Sequence, residues 1–292
     1  MTTIIIGNFD GVHIGHQGLI RSARDLSPTS AVVAVTFDSH PALQTRGEAP
    51  PMLTTNQDRE RLLIDSGVTR VECLQTTPDL LALDPDAFVE FLQSRIDFSA
   101  VVEGADFRFG YRRSGDVKTL SEIGLRRNFK TIVADDVDVA LRDGQIVSAR
   151  SSMVRWLLAN GRVADAQRVL GRSYSVTGIV VLGQQRGRQL GYPTANFAQL
   201  TSVLPSDGVY SVGVEDAQGR QWRGAASIGT NPTFGEYPRT LEVHVLDLPK
   251  NTDLYGQSMR ITFHEWLRGM MRFDSVDVLV SQIARDCAQV VA

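Results

Sequence analysis

The sequence predicts an α/β domain on a mostly parallel sheet, followed by a small antiparallel β domain that ends in a helix. Three observations carry this expectation. Up to about residue 136, short apolar runs alternate with stretches of helical period, the pattern of βαβ units. Beyond about residue 172 the hydrophobic period drops to two, with turn residues between the runs. At 292 residues the chain is long for one core, so two domains are expected.

Taken in order, "IIIG" is the first strand, and "GHQGLIRSARDL" follows as a helix with Leu19, Ile20, Ala23 and Leu26 on one face. "AVVAVTF" is a β-branched, buried strand, and "DRERLLIDSG" a helix closed by Gly67. "RVECL" is a third strand, and "DPDAFVEFLQSRI" a helix with proline in its first turn. "AVVEG" and "TIVAD" are two further strands around the helical "DVKTLSEIGLRRN", and "VDVALRDGQIVSA" reads as a hairpin turned at Asp143-Gly144. A helical stretch, broken near Asn160-Gly161, leads into the second half. There "SYSVTGIVVLG", "GVYSVGVED", "QWRGAASIG", "RTLEVHVLD" and "QSMRITFHEWL" are strand candidates, and about five or six such strands suit a small barrel or sandwich. In the last segment Val276, Leu279, Ile283 and Val290 share one helical side, so a helix is expected to cap this domain. The expected boundaries are 1–155, a helical connection over 156–172, and 173–292.

Composition narrows the function. Apolar content of 42% and charged content of 22% are ordinary for a globular protein. A net charge of −3 gives no reason to expect nucleic acid or membrane as a partner. The basic residues are nearly all arginine, the lysines being Lys118, Lys130 and Lys250. Cys73 and Cys287 are far apart without CxxC spacing, as in a reducing compartment, and no targeting or membrane-spanning run is visible, so a cytoplasmic location is expected.

The first chemistry-bearing stretch is "GNFDGVHIGHQ". It lies at the carboxyl end of strand one and runs into a helix, where ligands of parallel sheets bind. Gly7, Gly11 and Gly15 let the backbone approach a ligand, and a helix N-terminus favours phosphate. His13 and His16 are three apart, so both imidazoles can converge on one phosphate and donate to charge developing there. The plainer alternative is a glycine-rich turn whose histidines cap the helix.

The second is "GQQRGRQLGYPTANF". Gly183, Gly187 and Gly191 can form a flap whose amides wrap phosphates, although no P-loop is present. If "PTAN" is extended, Thr194 and Asn196 point to one side, and their hard, neutral oxygens suit Mg2+ that already carries triphosphate oxygens. In "TLEVHVLD", Glu242 and His244 face away from Leu241, Val243 and Val245, and a strand-held carboxylate near a γ-phosphate can accept a hydroxyl proton.

His-x-Gly-His marks the nucleotidyltransferase superfamily, and the longer string resembles the FMN adenylyltransferase module of bacterial bifunctional riboflavin kinase/FAD synthetases. "FDSHP" (37–41), "LTT" (53–55) and "GADFRFGYRRSGD" (104–116) resemble that family's successive motifs, in order. In the second half "LGYPTAN", "LPSDGVYSV", "IGTNPTF", "LEVHVLD", "LYG" and "RFDS" resemble the riboflavin kinase barrel, again in order. The resemblance implies a Rossmann-like nucleotidyltransferase domain followed by a kinase barrel, with riboflavin, FMN and ATP as ligands, Mg2+ as cofactor and FAD as product. It implies that His13 and His16 stabilise the adenylyl-transfer transition state. Asn8, Phe9, Asp10, Gly15, Ser151, Ser152 and Arg155 would line the ATP site, and Asp106 the flavin end. In the kinase, Thr194 and Asn196 would hold magnesium and phosphates, with Glu242 the base on the ribityl hydroxyl.

The chain departs from the family's pattern at a few places. "ARSSMVR" (149–155) stands for "ISSTxIR", so Ala149 and Arg150 replace an apolar residue and a serine; Ser39 stands where proline is frequent, Ala105 where glutamate is common, and Met270 where "R-x-E-x-x-F" has glutamate. The alternatives are a chain with one active half, or a flavin-binding regulator that turns over no ATP. The oligomeric state has no signal in the sequence.

Overall fold

The computed structural model describes residues 2–26, 29–200, 202–230, 239–249 and 252–290. Residues 231–234 of "IGTNPTF" lie outside them. The chain divides into two compact units: Met1–Val139 with Ile146–Ser151, and Ala140–Gln145 with Ser152–Ala292.

The main sheet of the first unit has five strands: β1 (Thr2–Ile6), β2 (Ala31–Phe37), β3 (Arg70–Leu74), β4 (Ala100–Gly104) and β5 (Lys130–Ala134). They pair in parallel in the order β3-β2-β1-β4-β5. Alternation sorts the two faces. Ile4, Ile6, Val33, Val35 and Val101 enter one core cluster, and Ile5, Ala34 and Val102 the other, so the apolar runs are buried on both sides. Four helices cover the faces: α1 (Ile14–Leu26), α2 (Asn56–Asp65), α3 (Pro85–Gln93) and α4 (Val117–Arg127). Their starts are capped locally, Thr55 accepting from Asp58 N–H, Asp84 from Ala87 and Asp116 from Thr119. On α1, Ile20 and Ala23 are fully buried, whereas Leu26 at the helix end is exposed.

The strand order reverses between β1 and β4, and these two strands pair only over Thr3–Ala100 and Ile4–Val101. Beyond that the ladder is open, and the loops after both strands leave at its edge. That is the switch-point crevice of an open α/β sheet. The Asp143-Gly144 hairpin forms as expected, between short strands Asp138–Ala140 and Ile146–Ser148 with Gly144 at φ 83°.

After Ala140–Gln145 the second unit runs on from Ser152, through α5 (Ser151–Ala159) and α6 (Val163–Leu170), which are separated at Gly161 with φ 72°. A closed barrel follows, built from β6 (Tyr174–Val181), β7 (Ala195–Ala198), β8 (Gly208–Asp216), β9 (Gln221–Gly229), β10 (Thr240–Val245) and β11 (Ser258–Arg268). Its order is β6-β7-β10-β9-β8-β11, all antiparallel, and Tyr210, Val212, Ile228, Leu241, Val243 and Phe263 fill the interior. Closure removes the sandwich alternative. Five strands match the alternating runs; β7, only four residues long, overlaps the end of "PTANF".

The closing helix α7 (Val276–Ala288) is present, but its expected apolar side is not a core seal. Val276 is 50% exposed and Val290 lies past the helix end, while Leu279 and Ile283 line a cavity. The face is apolar because it walls that cavity.

Candidate active sites

In the first unit the turn after β1 is strained and heavily tied. Phe9 (φ 46°) and Val12 (φ 40°) take left-handed backbone, which a phenylalanine or a β-branched valine adopts only under constraint, as at sites built for a ligand. The constraint comes from Asp10. Its carboxylate accepts from the Leu53 and Thr54 amides (3.0 and 3.1 Å) and from the Thr54 hydroxyl (3.1 Å), while the Gly11 amide donates to that hydroxyl (3.2 Å). Ser151 Oγ donates to the Asp10 carbonyl (2.8 Å). Asp10 therefore serves the turn through the "LTT" loop rather than presenting its carboxylate to a ligand.

His13 directly precedes α1, and its Nδ1 accepts the His16 amide at 3.4 Å. The imidazoles of His13 and His16 stack, centroids 3.6 Å apart and 23° from parallel. The capping alternative is thus real for one ring nitrogen, and it orients the other. Phe9 is in the core at 1% exposure, its ring meeting the edge of His16 at 5.1 Å, so it supports the histidine from beneath. Gly15 is required by space: a Cβ there would lie 2.8 Å from the Ala149 carbonyl and 3.0 Å from His13 Nδ1. Asn8 Oδ1, on the loop after β1, is buried and accepts no hydrogen bond.

Ser151 opens α5, with Ser152 exposed beside it and Arg155 one turn along on the face of Ser151. Asp106 sits on the loop after β4, exposed, 3.0 Å from the guanidinium of Arg150, which also reaches Asp136 at 3.7 Å. The replacement of serine by Arg150 therefore neutralises the acidic residue expected at the flavin end. His40 caps the helix Pro41–Arg46 through Nδ1, a structural role.

Two residues of this site escape sequence reading. Arg59 on α2 is buried and donates to the Asn8 carbonyl (3.0 Å), the Phe37 carbonyl (2.6 Å) and Asn56 Oδ1 (2.9 Å), pinning the ends of β1 and β2 together. Glu103 at the end of β4 is buried and accepts the Ile6 amide at 2.5 Å, bridging the gap between β1 and β4. Burial pushes its carboxyl well above the usual range, with Asp106 adding to the rise against the Ile6 hydrogen bond. A basic residue in "DRERLL" and an acid closing an apolar strand were the available signals.

In the second unit a cavity of about 160 Å³ opens on the outer face of the barrel. Across β7, β10 and β9, Asn196, Glu242 and Ser227 are register partners, so they share that outer face. Thr194 Oγ1 donates to Glu242 Oε2 at 3.2 Å, and Thr194, Glu242, His244, Ser227 and Gly187 all line the cavity. Asn196 is on this face but is not part of the cavity wall; its amide lies against Gly183, filling the space a Cβ would need there. The three-glycine segment carries a short helix, Arg186–Gln189, and turns back at Gly191 (φ 83°), where the Tyr192 amide donates to the Gly187 carbonyl at 2.8 Å.

The far wall is Met270, Met271, Phe273, Leu279 and Ile283. Position 270, where the family commonly has a carboxylate, is Met270, and the carboxylate that meets Arg268 is Asp286 of α7. Arg268 donates to it through Nε (3.0 Å) and Nη2 (2.7 Å), and Gln282 through its amide (2.8 Å). The guanidinium also lies over Phe273, 5.6 Å from the ring centroid, so the loop 268–273 is anchored to the helix.

Comparison with known proteins bears on both sites. A family model described as FAD synthetase matches residues 1–150, and one described as riboflavin kinase matches 170–292. A bifunctional riboflavin kinase/FMN adenylyltransferase of Escherichia coli K12 is 35% identical over 97% of this chain and 90% of its own length. One from Pseudomonas fluorescens is 36% identical with the same coverage. A crystal structure from Streptococcus pneumoniae, described as a macrolide-efflux protein, superposes with a TM-score of 0.88 at 30% identity, covering 99% of this chain and 93% of that one. The efflux description belongs to that protein; among the described residues here, no helix is long and apolar enough to cross a membrane. Matched in both halves and along nearly its whole length, the chain belongs to the bifunctional riboflavin kinase/FMN adenylyltransferase family.

Proposed function

We propose that the second unit phosphorylates riboflavin with ATP to give FMN, and that the first unit joins FMN to the adenylyl group of a second ATP, releasing pyrophosphate as FAD forms. The observation that carries this reading is that each matched region holds its own assembled group of residues suited to its step: His13 stacked on His16 at a helix start, and Thr194 bonded to Glu242 on a cavity wall.

In the kinase step Glu242 takes the proton of the riboflavin 5′-hydroxyl as its oxygen attacks the γ-phosphorus and ADP leaves. Thr194 faces the triphosphate from the cavity wall, Asn196 stands next to it on the same outer face against Gly183, and glycines 183, 187 and 191 let the covering segment close on the nucleotide. The apolar wall of Met270, Met271 and Ile283 suits an isoalloxazine ring. The donors fit magnesium: a hydroxyl, an amide oxygen and one carboxylate are hard ligands for an ion already held by phosphates. Bound there, Mg2+ would neutralise charge developing on the transferred phosphoryl group.

In the adenylyl step an FMN phosphate oxygen attacks the α-phosphorus. His13 and His16 donate to the oxygens gaining charge, and Asn8, Gly15 and the α1 N-terminus cradle the nucleotide. Ser151, bonded to the Asp10 carbonyl, approaches the phosphates from the start of α5, and Asp106, once Arg150 has turned away, the flavin. A cytoplasmic setting fits the free thiols of Cys73 and Cys287.

The test is incubation with riboflavin, ATP and Mg2+, with flavins separated by chromatography over time. FMN rising first and FAD following is the expected course. Bound flavin without product would favour the regulator reading.

A further inference from the structure

We propose that His244 is a positioning residue of the kinase site: by donating from Nδ1 to the Pro193 carbonyl it holds Thr194 against Glu242. This rests on the kinase reading of the barrel cavity.

The β7–β10 ladder ends at Ala195–Val243, because the chain upstream turns away into the glycine segment and Pro193 has no amide proton to donate. Thr194, the residue that touches Glu242, lies one step beyond the last ladder pair and has no ladder support of its own. The His244 side chain supplies the missing tie. Its Nδ1 is 2.8 Å from the Pro193 carbonyl oxygen, and a carbonyl only accepts, so Nδ1 carries the proton and donates. The ring also receives Tyr192, edge to face with centroids 5.3 Å apart. Thr194 is thus held from both sides, by the strand after it and by His244 acting on the residue before it. Glu242 and His244 are two apart on one strand, so the residue that touches Thr194 and the residue that fixes its approach share one rigid element.

The test uses the full chain with His244 replaced by Ala, Asn or Gln. An asparagine amide can sit where Nδ1 sits; a glutamine amide reaches further. His244→Ala lowers kcat/KM for ATP in FMN formation by on the order of tenfold, the effect of a small misplacement at a phosphoryl-transfer site. His244→Asn recovers most of the loss and His244→Gln does not. Urea unfolding followed through circular dichroism, on the same preparations, reports that each variant's barrel is folded, and FAD formation from supplied FMN that the first unit is intact. An alanine variant with wild-type kinase kinetics, or an asparagine variant as impaired as alanine, overturns the assignment. Wild-type protein that makes FAD from FMN but no FMN from riboflavin overturns instead the kinase reading beneath it.

Discussion

His13 and His16 lie ring on ring, 3.6 Å between centroids, and the Nδ1 of the first accepts the backbone N–H of the second. An Nδ1 used as acceptor leaves the proton of a neutral imidazole on Nε2. The cap therefore prepares His13 as a donor without requiring it to be charged. His13→Ala is expected to reduce FAD formation by about 10²–10³-fold, the usual cost of removing one preorganised donor to developing charge. FMN formation from riboflavin should be unaltered, since it belongs to the other unit. Steady-state assays of the two steps separately check both halves of this expectation.

Gly15 is the tightest point of the same turn. A methyl group there meets the Ala149 carbonyl at 2.8 Å and the His13 ring at 3.0–3.1 Å, so either the segment before α5 or the imidazole must move. Gly15→Ala should cost the first unit about 1–3 kcal/mol by overpacking, and lower FAD formation beyond what the stability loss explains. Urea unfolding beside adenylyl-transfer kinetics at low temperature separates the two effects.

What was legible in the sequence follows physical range. The five parallel strands are readable because β-branched runs such as "AVVAVTF" are buried on both faces, and the hairpin because Asp143-Gly144 marks its own turn. The histidine turn and the Thr194–Glu242 pair are readable because "HIGH" and "PTAN" are short local strings, and the fold brings their side chains together as the spacing suggested. β7 is less legible, since four residues cannot display a period. Arg59, Glu103 and Asp286 are invisible for another reason. Each is an ionisable side chain buried by contacts with segments 18 to 97 residues away, and the local signals, such as an acid closing an apolar strand, do not say which partner will bury it. Asp10 is half legible: its place in the turn is plain, but its carboxylate is committed to Leu53 and Thr54 far along the chain.

Glu103 makes the stability of the first unit depend on pH. Burial raises its carboxyl well above the ordinary value of 4.5, so the folded state holds the proton more tightly than the unfolded chain. The sign follows: the Glu103 contribution is fully present below the unfolded value and is lost as pH rises toward the folded one, by at most about 1.4 kcal/mol per pH unit. Glu103→Gln keeps an uncharged acceptor for the Ile6 amide and has no proton to lose. The variant should match wild type near pH 4.5 and exceed it increasingly above pH 5, as read by urea unfolding followed through circular dichroism. Parallel curves for the two proteins would show that Glu103 is charged in the folded state.

The last expectation concerns the wall opposite Glu242. Arg268 and Asp286 form a charge pair with side chains only 18% and 5% exposed, tying the loop that carries Met270 and Phe273 to α7. Removing one partner of such a pair leaves the other charge buried, at a cost of about 3–5 kcal/mol. Asp286→Asn should therefore loosen the loop and raise KM for riboflavin more than KM for ATP, because the loop walls the apolar side of the cavity and Thr194 and Gly187 stand on the other. Met270→Glu separates pairing from packing. With Asp286 intact it adds a second carboxylate beside an already paired arginine and buries charge in an apolar wall, so it should weaken riboflavin binding. In the Asp286→Asn background the new glutamate can take up Arg268, and KM for riboflavin should fall back toward wild type. Recovery in the double variant alone would identify the anchoring of Arg268, rather than either carboxylate itself, as what the flavin side of the site requires.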